Sequence, residues 1–389
     1  MDKTELVQQT LESNETEKDF GHKELDKCPY CEGSLVKRGV RKKKLEQVQI
    51  YFCKSCDRKI TPLITKGKTY PLRVIVDSLT LYNRLNSLEA IPQTIKDSYG
   101  ITITPRIISE WLKEYRQLLP FLRMREFASK KYAQKEAIVE SKMLHKQIYE
   151  FRFHRAKTEM ILDEDFKHSK FKPLQQFLEL VHAECPHQIF QSSKRASEYK
   201  NIFSLDGVTI IPKTNAAVKI ASFVVQSVSN NKLRHKMLEE FMLANDSVTI
   251  ATEVPVLLDA DDMRHLKHEL NFSIPLTLND GEYMTGHIDV IQIRNGSIYI
   301  MDYKPSAAKE RPVDQLTIYA LALSRLTGLR LYNMKCAWFD DKNYYEFFPL
   351  HVVYKKKQKR LPRDQRKLGE SLKDENTALQ ARIAALEQK

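Results

Sequence analysis

Gly286-His-Ile-Asp-Val-Ile-Gln-Ile-Arg-Asn-Gly-Ser-Ile-Tyr-Ile-Met-Asp-Tyr-Lys304 is the stretch on which the fold turns. Two alternating apolar runs flank Asn295-Gly296, the strongest short-range signal for a hairpin closed by a two-residue type I′ turn. Pairing Arg294 with Ser297 makes Ile293 face Ile298, Ile291 face Ile300 and Asp289 face Asp302, with His287 and Lys304 as the next pair on that side. Opposed side chains lie about 4.5–5.5 Å apart at Cβ, and residues two apart share a face. Asp289, Asp302 and Lys304 therefore converge at the open end of an aliphatic face. Two carboxylates held together beside apolar groups repel one another, and a divalent cation resolves the conflict. Oxygen ligands suit Mg²⁺ or Mn²⁺. Such an ion activates water and neutralises charge on a phosphoryl group, with Lys304 orienting the water or stabilising the transition state. On the hairpin alone, the simpler alternative is a rim salt bridge in which Lys304 neutralises one of two surface aspartates.

The chain around this hairpin has 389 residues, 42% hydrophobic and 29% charged, which excludes a disordered protein. At roughly 100–200 residues per domain, it accommodates two or three cores. Its 63 Lys+Arg against 50 Asp+Glu give a net +13, favouring an anionic partner. The charge is concentrated: residues 21–73 hold 14 basic and 5 acidic side chains, +9 of the total. With 11 glycines and neither GxGxxG nor GxxxxGK[ST], a glycine-rich phosphate loop is not expected. No apolar run approaches the ~18 residues of a membrane span, and the polar first twenty residues do not read as a signal peptide. An intracellular location is expected: cytoplasmic and nucleoid-associated, or nuclear in a eukaryote.

Cys28-Pro-Tyr-Cys31 and Cys53-Lys-Ser-Cys56 form a C-x2-C-x21-C-x2-C array. Two such knuckles complete a tetrahedral zinc site, and an intracellular chain keeps its thiols reduced rather than paired as disulfides. The intervening residues are basic, with Lys37, Arg38, Arg41, Lys42, Lys43 and Lys44 as candidate DNA contacts, and Val48, Ile50 and Phe52 alternate as in a strand. This is the pattern of a zinc ribbon. Beyond it, residues 71–85 repeat apolar side chains at helical spacing. Residues 91–99 form a second helix closed by Gly100, and Thr104-Pro105 supplies the cap and first position of a third. Arg106, Ser109, Lys113 and Arg116 are that helix's candidate contacts in a major groove. Ile108, Trp111 and Leu112 read as core, and an ordinary solvated face would also explain the charges.

Two resemblances add to these readings. Residues 28–60 resemble the zinc-ribbon opening of insertion-sequence transposases, in which a helix-turn-helix follows. The hairpin's GHIDV and DYK, with Gln315-Leu-Thr-Ile-Tyr319 after them, resemble the RecB-like branch of the PD-(D/E)XK nucleases. That resemblance implies that Asp289 and Asp302 are metal-binding acids and Lys304 the catalytic lysine. It further implies that Gln315 and Tyr319 lie on a helix packed beside the site, and that His235, in Leu-Arg-His-Lys-Met-Leu-Glu-Glu-Phe241, is a further metal ligand. His287 is a rival that the resemblance does not support. Glu239, Glu240 and Glu253 are candidate outer acids, although a solvated helix face explains the first two equally well. Some members of that branch carry an iron–sulfur cluster on four cysteines; with Cys185 before the core and Cys336 after it, none is expected.

Residues 127–190 offer helical patches and scattered histidines, His145, His154, His168, His182 and His187, without ligand spacing. They are expected to be a helical connector. At the far end, residues 355–367 carry eight basic side chains and one acid, and Leu372, Leu379 and Leu386 recur every seven residues with Asn376 and Ile383 between them. This is a short zipper pattern, which would support a homodimer through residues 368–389, unless the helix packs on its own domain.

The expected architecture is α+β and multidomain. It comprises a polar tail (1–24), a zinc ribbon (25–66), a helix-turn-helix (67–126), the connector (127–190), a restriction-endonuclease-like α/β/α core (191–354) and a C-terminal basic and coiled-coil segment (355–389). The expected function is metal-dependent cleavage of DNA, targeted by the N-terminal module in a mobile-element or DNA-processing setting, with structural Zn²⁺ and catalytic Mg²⁺ or Mn²⁺. The alternatives are a DNA-binding regulator built on a degenerate nuclease fold, and an RNA target.

Overall fold

The computed structural model describes residues 22, 24–62, 67–204 and 208–354. Almost all of the polar tail, the basic segment 355–367 and the zipper pattern that would dimerise lie outside them. Described residues up to Val353 form one compact unit. No described helix is long and apolar enough to cross a membrane.

The ribbon is a three-stranded antiparallel sheet of β1 (Leu35–Lys42), β2 (Gln47–Cys53) and β3 (Lys59–Ile60). Its small core consists of Cys28, Tyr51, Cys53 and Ile60. The strand expected from Val48, Ile50 and Phe52 is present, but Tyr51 and Cys53 are buried where Ile50 and Phe52 are only partly covered. Three helices follow at the expected places: α1 (Leu72–Asn83), α2 (Ile91–Tyr99) and α3 (Pro105–Glu114). Gly100 closes α2 in the left-handed region at φ 70°, where a Cβ would be strained. The Thr104 hydroxyl accepts from the Ile107 amide at the start of α3, satisfying one of the donors a helix leaves open.

Among the described residues, the second sheet has nine strands. Its path is β4 (Val139–His145), β5 (Gln147–Phe153), β8 (Thr249–Leu258), β9 (Met284–Arg294), β10 (Ser297–Tyr303), β11 (Met334–Phe339), β12 (Tyr344–Phe347) and β7 (Ile211–Pro212), with β6 (Lys194–Arg195) pairing with β9. The β9–β10 hairpin has the register read from Asn295-Gly296: Ser297 opposite Arg294, Ile298 opposite Ile293, Ile300 opposite Ile291 and Met301 opposite Val290. Asn295 (φ 50°) and Gly296 (φ 67°) hold the turn in the left-handed region that type I′ geometry requires. Both faces of the hairpin are covered, as the near-continuous apolar sequence of its strands demands. Ile291, Ile293, Ile298 and Ile300 join a core shared with α4 (Lys172–Glu184) and α8 (Val313–Thr327). Val290, Tyr299, Met301 and Tyr303 join a second core with α6 (Ala216–Val224) and α7 (Asn231–Asn245). A sheet between two helical layers is the expected α/β/α arrangement. The connection from β10 through α8 returns to β11 in parallel, as a helical crossover allows.

Two expectations are corrected. Residues 127–190 are not helical throughout, since β4 and β5 form an antiparallel hairpin whose inner strand pairs with β8. The sheet thus recruits strands from well before residue 191. The three helices after the ribbon also do not have a core of their own. Leu79, Ile108 and Trp111 are buried in the cluster that contains Phe223, Phe241 and Tyr303, Tyr115 packs on Phe223 at 4.8 Å between centroids, and buried Asn83 donates to Asn245 at 2.7 Å. The helical unit is built onto the outer face of α6 and α7.

Candidate active site

The hairpin brings the acids together because its register leaves no other arrangement. Asp289 on β9 and Asp302 on β10 sit on adjacent strands one step beyond Val290–Met301, the last pair of the ladder, and the Tyr303 amide donates to Asp289 Oδ2 at 3.3 Å. Lys304 follows directly, its Nζ 2.9 Å from Asp302 Oδ2. That contact is an ion pair off hydrogen-bonding geometry, leaving the buried oxygen without a hydrogen bond. From the helical layer, α7 lays His235 and Glu239 one turn apart, and His235, Glu239 and Asp289 each offer a ligand atom within 4.8 Å of the others. Glu253 on β8 stands between the Thr252–Val290 and Val254–Ile288 pairs, beside Asp289. Its backbone is left-handed at φ 52°, a conformation costing a non-glycine residue about 1–3 kcal/mol and concentrated at functional sites.

Electrostatically the cluster is strained. Burial pushes Asp302 well above the carboxylate range, and Asp289 adds to the shift. Asp289 itself is raised by burial and by Glu253. Glu239, 4% exposed, is raised well above its ordinary value by burial and then by Glu253 and Asp289, and Glu253 is pushed up to about 7, chiefly by burial. Burial alone would lower Lys304, but Asp302 and Asp289 outweigh it and hold the ammonium charged. Burial lowers His235, favouring the neutral imidazole that ligates metals. Four crowded carboxylates, one with a buried oxygen lacking a hydrogen bond, beside one lysine and one neutral imidazole form an oxygen-rich donor set suited to Mg²⁺ or Mn²⁺.

Gln315 and Tyr319 lie one turn apart on α8. Gln315 donates to the Tyr319 hydroxyl at 3.0 Å, and the buried Tyr319 ring lies against Gly286 so closely that a Cβ there would sit 2.1 Å from its Cε1. Gly286 is therefore a packing requirement of the site. Gly286→Ala is expected to cost about 1–3 kcal/mol through overpacking, read as a lower urea midpoint. Combined with Tyr319→Ala it should cost less than the two single changes together, as residues in contact do; strict additivity would show that the ring is not what the glycine accommodates.

Other candidates sort differently. His287 pairs with Pro255, stacks on Tyr149 at 3.5 Å and meets His145 Nδ1 through Nε2 at 2.8 Å, because the β9–β10 ladder ends at Val290–Met301 while β9 stays paired with β8 as far as Met284. Glu239 is an inward-facing acid rather than part of a solvated face, whereas Glu240 pairs with Arg152 at 2.7 Å. Its burial could not be read from α7, whose apolar residues occur on more than one side. Cys336 is buried and donates to the Leu316 carbonyl; Cys185 lies instead with His145 and His187, a grouping that sequence spacing does not reveal.

In the ribbon, the four cysteine sulfurs lie within 4.8 Å of one another, with Cys28–Cys56 at 3.7 Å and Cys31–Cys53 at 3.4 Å. Disulfides need about 2.05 Å, whereas thiolates about 2.3 Å from one tetrahedral ion lie about 3.8 Å apart. Each knuckle closes in the same way: the backbone amide of Glu32 (φ 56°) donates to the Cys28 carbonyl and that of Asp57 (φ 54°) to the Cys53 carbonyl. Arg41, Lys42 and Lys44 are exposed along the ribbon. Lys37 pairs with Glu24, Lys43 with buried Glu46 at 2.7 Å, and Arg38 lies over the Phe52 ring. On α3, Arg106, Lys113 and Arg116 just beyond it are exposed, with Arg106 3.3 Å from Glu110. Ser109 is committed to the Pro105 carbonyl at 3.2 Å. Ile108 and Trp111 are core, as expected.

Among known families, residues 216–388 match the model of the PD-(D/E)XK nuclease superfamily, a span that includes α7, β8–β12 and α8. No curated protein and no solved structure gives a significant match. The chain thus carries a PD-(D/E)XK nuclease superfamily domain at residues 216–388.

Proposed function

We propose that the protein is a divalent-metal-dependent deoxyribonuclease that hydrolyses phosphodiester bonds and is brought to DNA by its ribbon and helical unit. The observation that carries this reading is the cluster of four buried carboxylates, Glu239, Glu253, Asp289 and Asp302, crowded around the single ammonium of Lys304. A retired site would gain stability by losing such a cluster. Asp289, Asp302, Glu239 and His235 would hold Mg²⁺ or Mn²⁺, which supplies an activated water and neutralises charge developing on the phosphoryl group. Lys304, tied to Asp302, keeps an ammonium at the mouth of the site where it can orient the attacking water and stabilise charge in the transition state. Gln315 and Tyr319 brace β9 from the α8 side. RecB-like kinship, the transposase-like character of the N-terminal module and a mobile-element setting belong to the same proposal. Zn²⁺ on Cys28, Cys31, Cys53 and Cys56 would be structural. Arg41, Lys42 and Lys44, with Arg106, Lys113 and Arg116, are the phosphate contacts best placed to position the duplex.

The test is to incubate the protein with supercoiled plasmid, linear duplex, single-stranded DNA and RNA in Mg²⁺, Mn²⁺ or EDTA. Metal-dependent cutting of DNA is expected. Salt-sensitive DNA binding with no cutting under any metal would replace the enzyme by a DNA-binding factor, and preferential cutting of RNA would change the substrate.

A further inference from the structure

A second set of ligand-type side chains lies at the end of the sheet, on residues outside the matched family span. Cys185 caps α4 and, after Pro186, His187 opens α5 (His187–Ser192). His145 reaches them from the last residue of β4. The three offer Sγ, Nδ1 and Nε2 atoms all within 4.8 Å. His145 Nε2 lies 2.8 Å from His187 Nδ1 and 3.9 Å from Cys185 Sγ. For a tetrahedral ion about 2.05 Å from imidazole nitrogen and 2.3 Å from sulfur, those separations would be about 3.3 and 3.6 Å. The observed distances bracket these values, so small side-chain rotations suffice.

We propose that His145, Cys185 and His187 bind a zinc ion, with a water in the fourth position. One thiolate and two imidazoles select Zn²⁺ over the oxygen-seeking Mg²⁺. His145 is prepared as a ligand by what surrounds it. Its ring stacks on Phe190 at 4.3 Å, and its Nδ1 meets His287 Nε2 at 2.8 Å. With Nε2 on the ion, Nδ1 keeps its proton and donates to His287, the outer hydrogen bond that metal-bound histidines characteristically make. Burial also holds His145 down at about 4, so the imidazole is neutral. Burial lifts the Cys185 thiol to about 11; the ion would displace that proton on binding. His187 is exposed, which leaves the ion a route in and the water a place. The ion would clamp the α4–α5 turn to β4, and through His287 stiffen β9 two residues before Asp289.

The experiment measures zinc in the full chain after equilibration with Zn²⁺ and gel filtration. The wild type should hold about two equivalents, one on the four ribbon cysteines and one here. Cys185→Ser/His187→Ala should hold about one, with unchanged circular dichroism, because His187 is exposed and Cys185 is only partly buried at the edge of the core, where serine is nearly isosteric. Co²⁺ gives an independent readout: the wild-type spectrum minus that of Cys185→Ser should contain a thiolate charge-transfer band. Equal zinc content in wild type and double variant, or a featureless cobalt difference, would reduce the cluster to a hydrogen-bonded chain of three histidines. Neither readout depends on cleavage, so failure of this site and failure of the nuclease reading are separable.

Discussion

Asp302→Asn is expected to abolish metal-dependent DNA cleavage while leaving DNA binding within about twofold of wild type. The carboxylate is 2% exposed, and its Oδ2 meets Lys304 without a hydrogen bond. The amide is isosteric, but it removes an anionic metal ligand and the partner that holds Lys304 in place. Each function is worth several kcal/mol of transition-state stabilisation. At about 1.4 kcal/mol per tenfold, cleavage should fall by ~10³-fold or more. Asp289→Asn and Lys304→Ala should behave alike, because residues acting as a unit are not additive. Glu239→Gln separates catalysis from folding. Glu239 has acids as its strongest neighbours after burial itself, so the neutral amide relieves repulsion without stranding a cation. In EDTA this variant should melt above the wild type, while its cleavage falls. A stable variant with wild-type cleavage would remove Glu239 from the metal site, and cleavage surviving Asp302→Asn would remove the site from the chemistry altogether.

The same residues show what a sequence discloses and what it hides. Asn295-Gly296 fixes the register because few turns besides type I′ join strands through two residues, so the sequence alone sets Asp289 and Asp302 side by side. The Thr104-Pro105 cap and Gly100 stop were legible for the same reason: they are local backbone requirements. The β4–β5 hairpin was not, since it turns at Lys146, held at φ 64°, with no glycine or asparagine to announce it. Its charged and aromatic residues follow one another without a clean apolar–polar alternation, so the segment has no strand signature. Glu239 was ambiguous because α7 is covered on several sides, by α1, α6 and the sheet, so no polar stripe marks a solvent face. His145, Cys185 and His187 meet only because the α4–α5 turn packs on β4, some forty residues earlier in the chain, which no spacing rule encodes.

Cys53→Ser should abolish the proposed Zn²⁺ site and unfold the ribbon alone. Its core consists of Cys28, Tyr51, Cys53 and Ile60, with partly buried Leu25, Leu35 and Cys56 around them; a unit this small has too little apolar area to fold without a staple. Two of those four core residues are themselves ligands, so losing the ion removes the core as well as the crosslink. Metal binding and folding are then one event, worth about 10 kcal/mol or more in small thiolate sites. The remainder of the chain has separate and far larger cores and should keep its thermal transition. Limited proteolysis should cut the variant between residues 24 and 62, and zinc content should drop by about one equivalent. DNA affinity should fall by about tenfold without vanishing, because the basic side chains survive in the unfolded segment and counterion release requires charge more than shape. What should disappear is any sequence preference that depends on presenting Arg41 and Lys42 on a fixed strand, with Lys44 in the turn after it. A Cys53→Ser protein that resists the protease as the wild type does would show that the ribbon is held by its docking, through Leu45 on the second core and Glu46 on His22, and not by its metal.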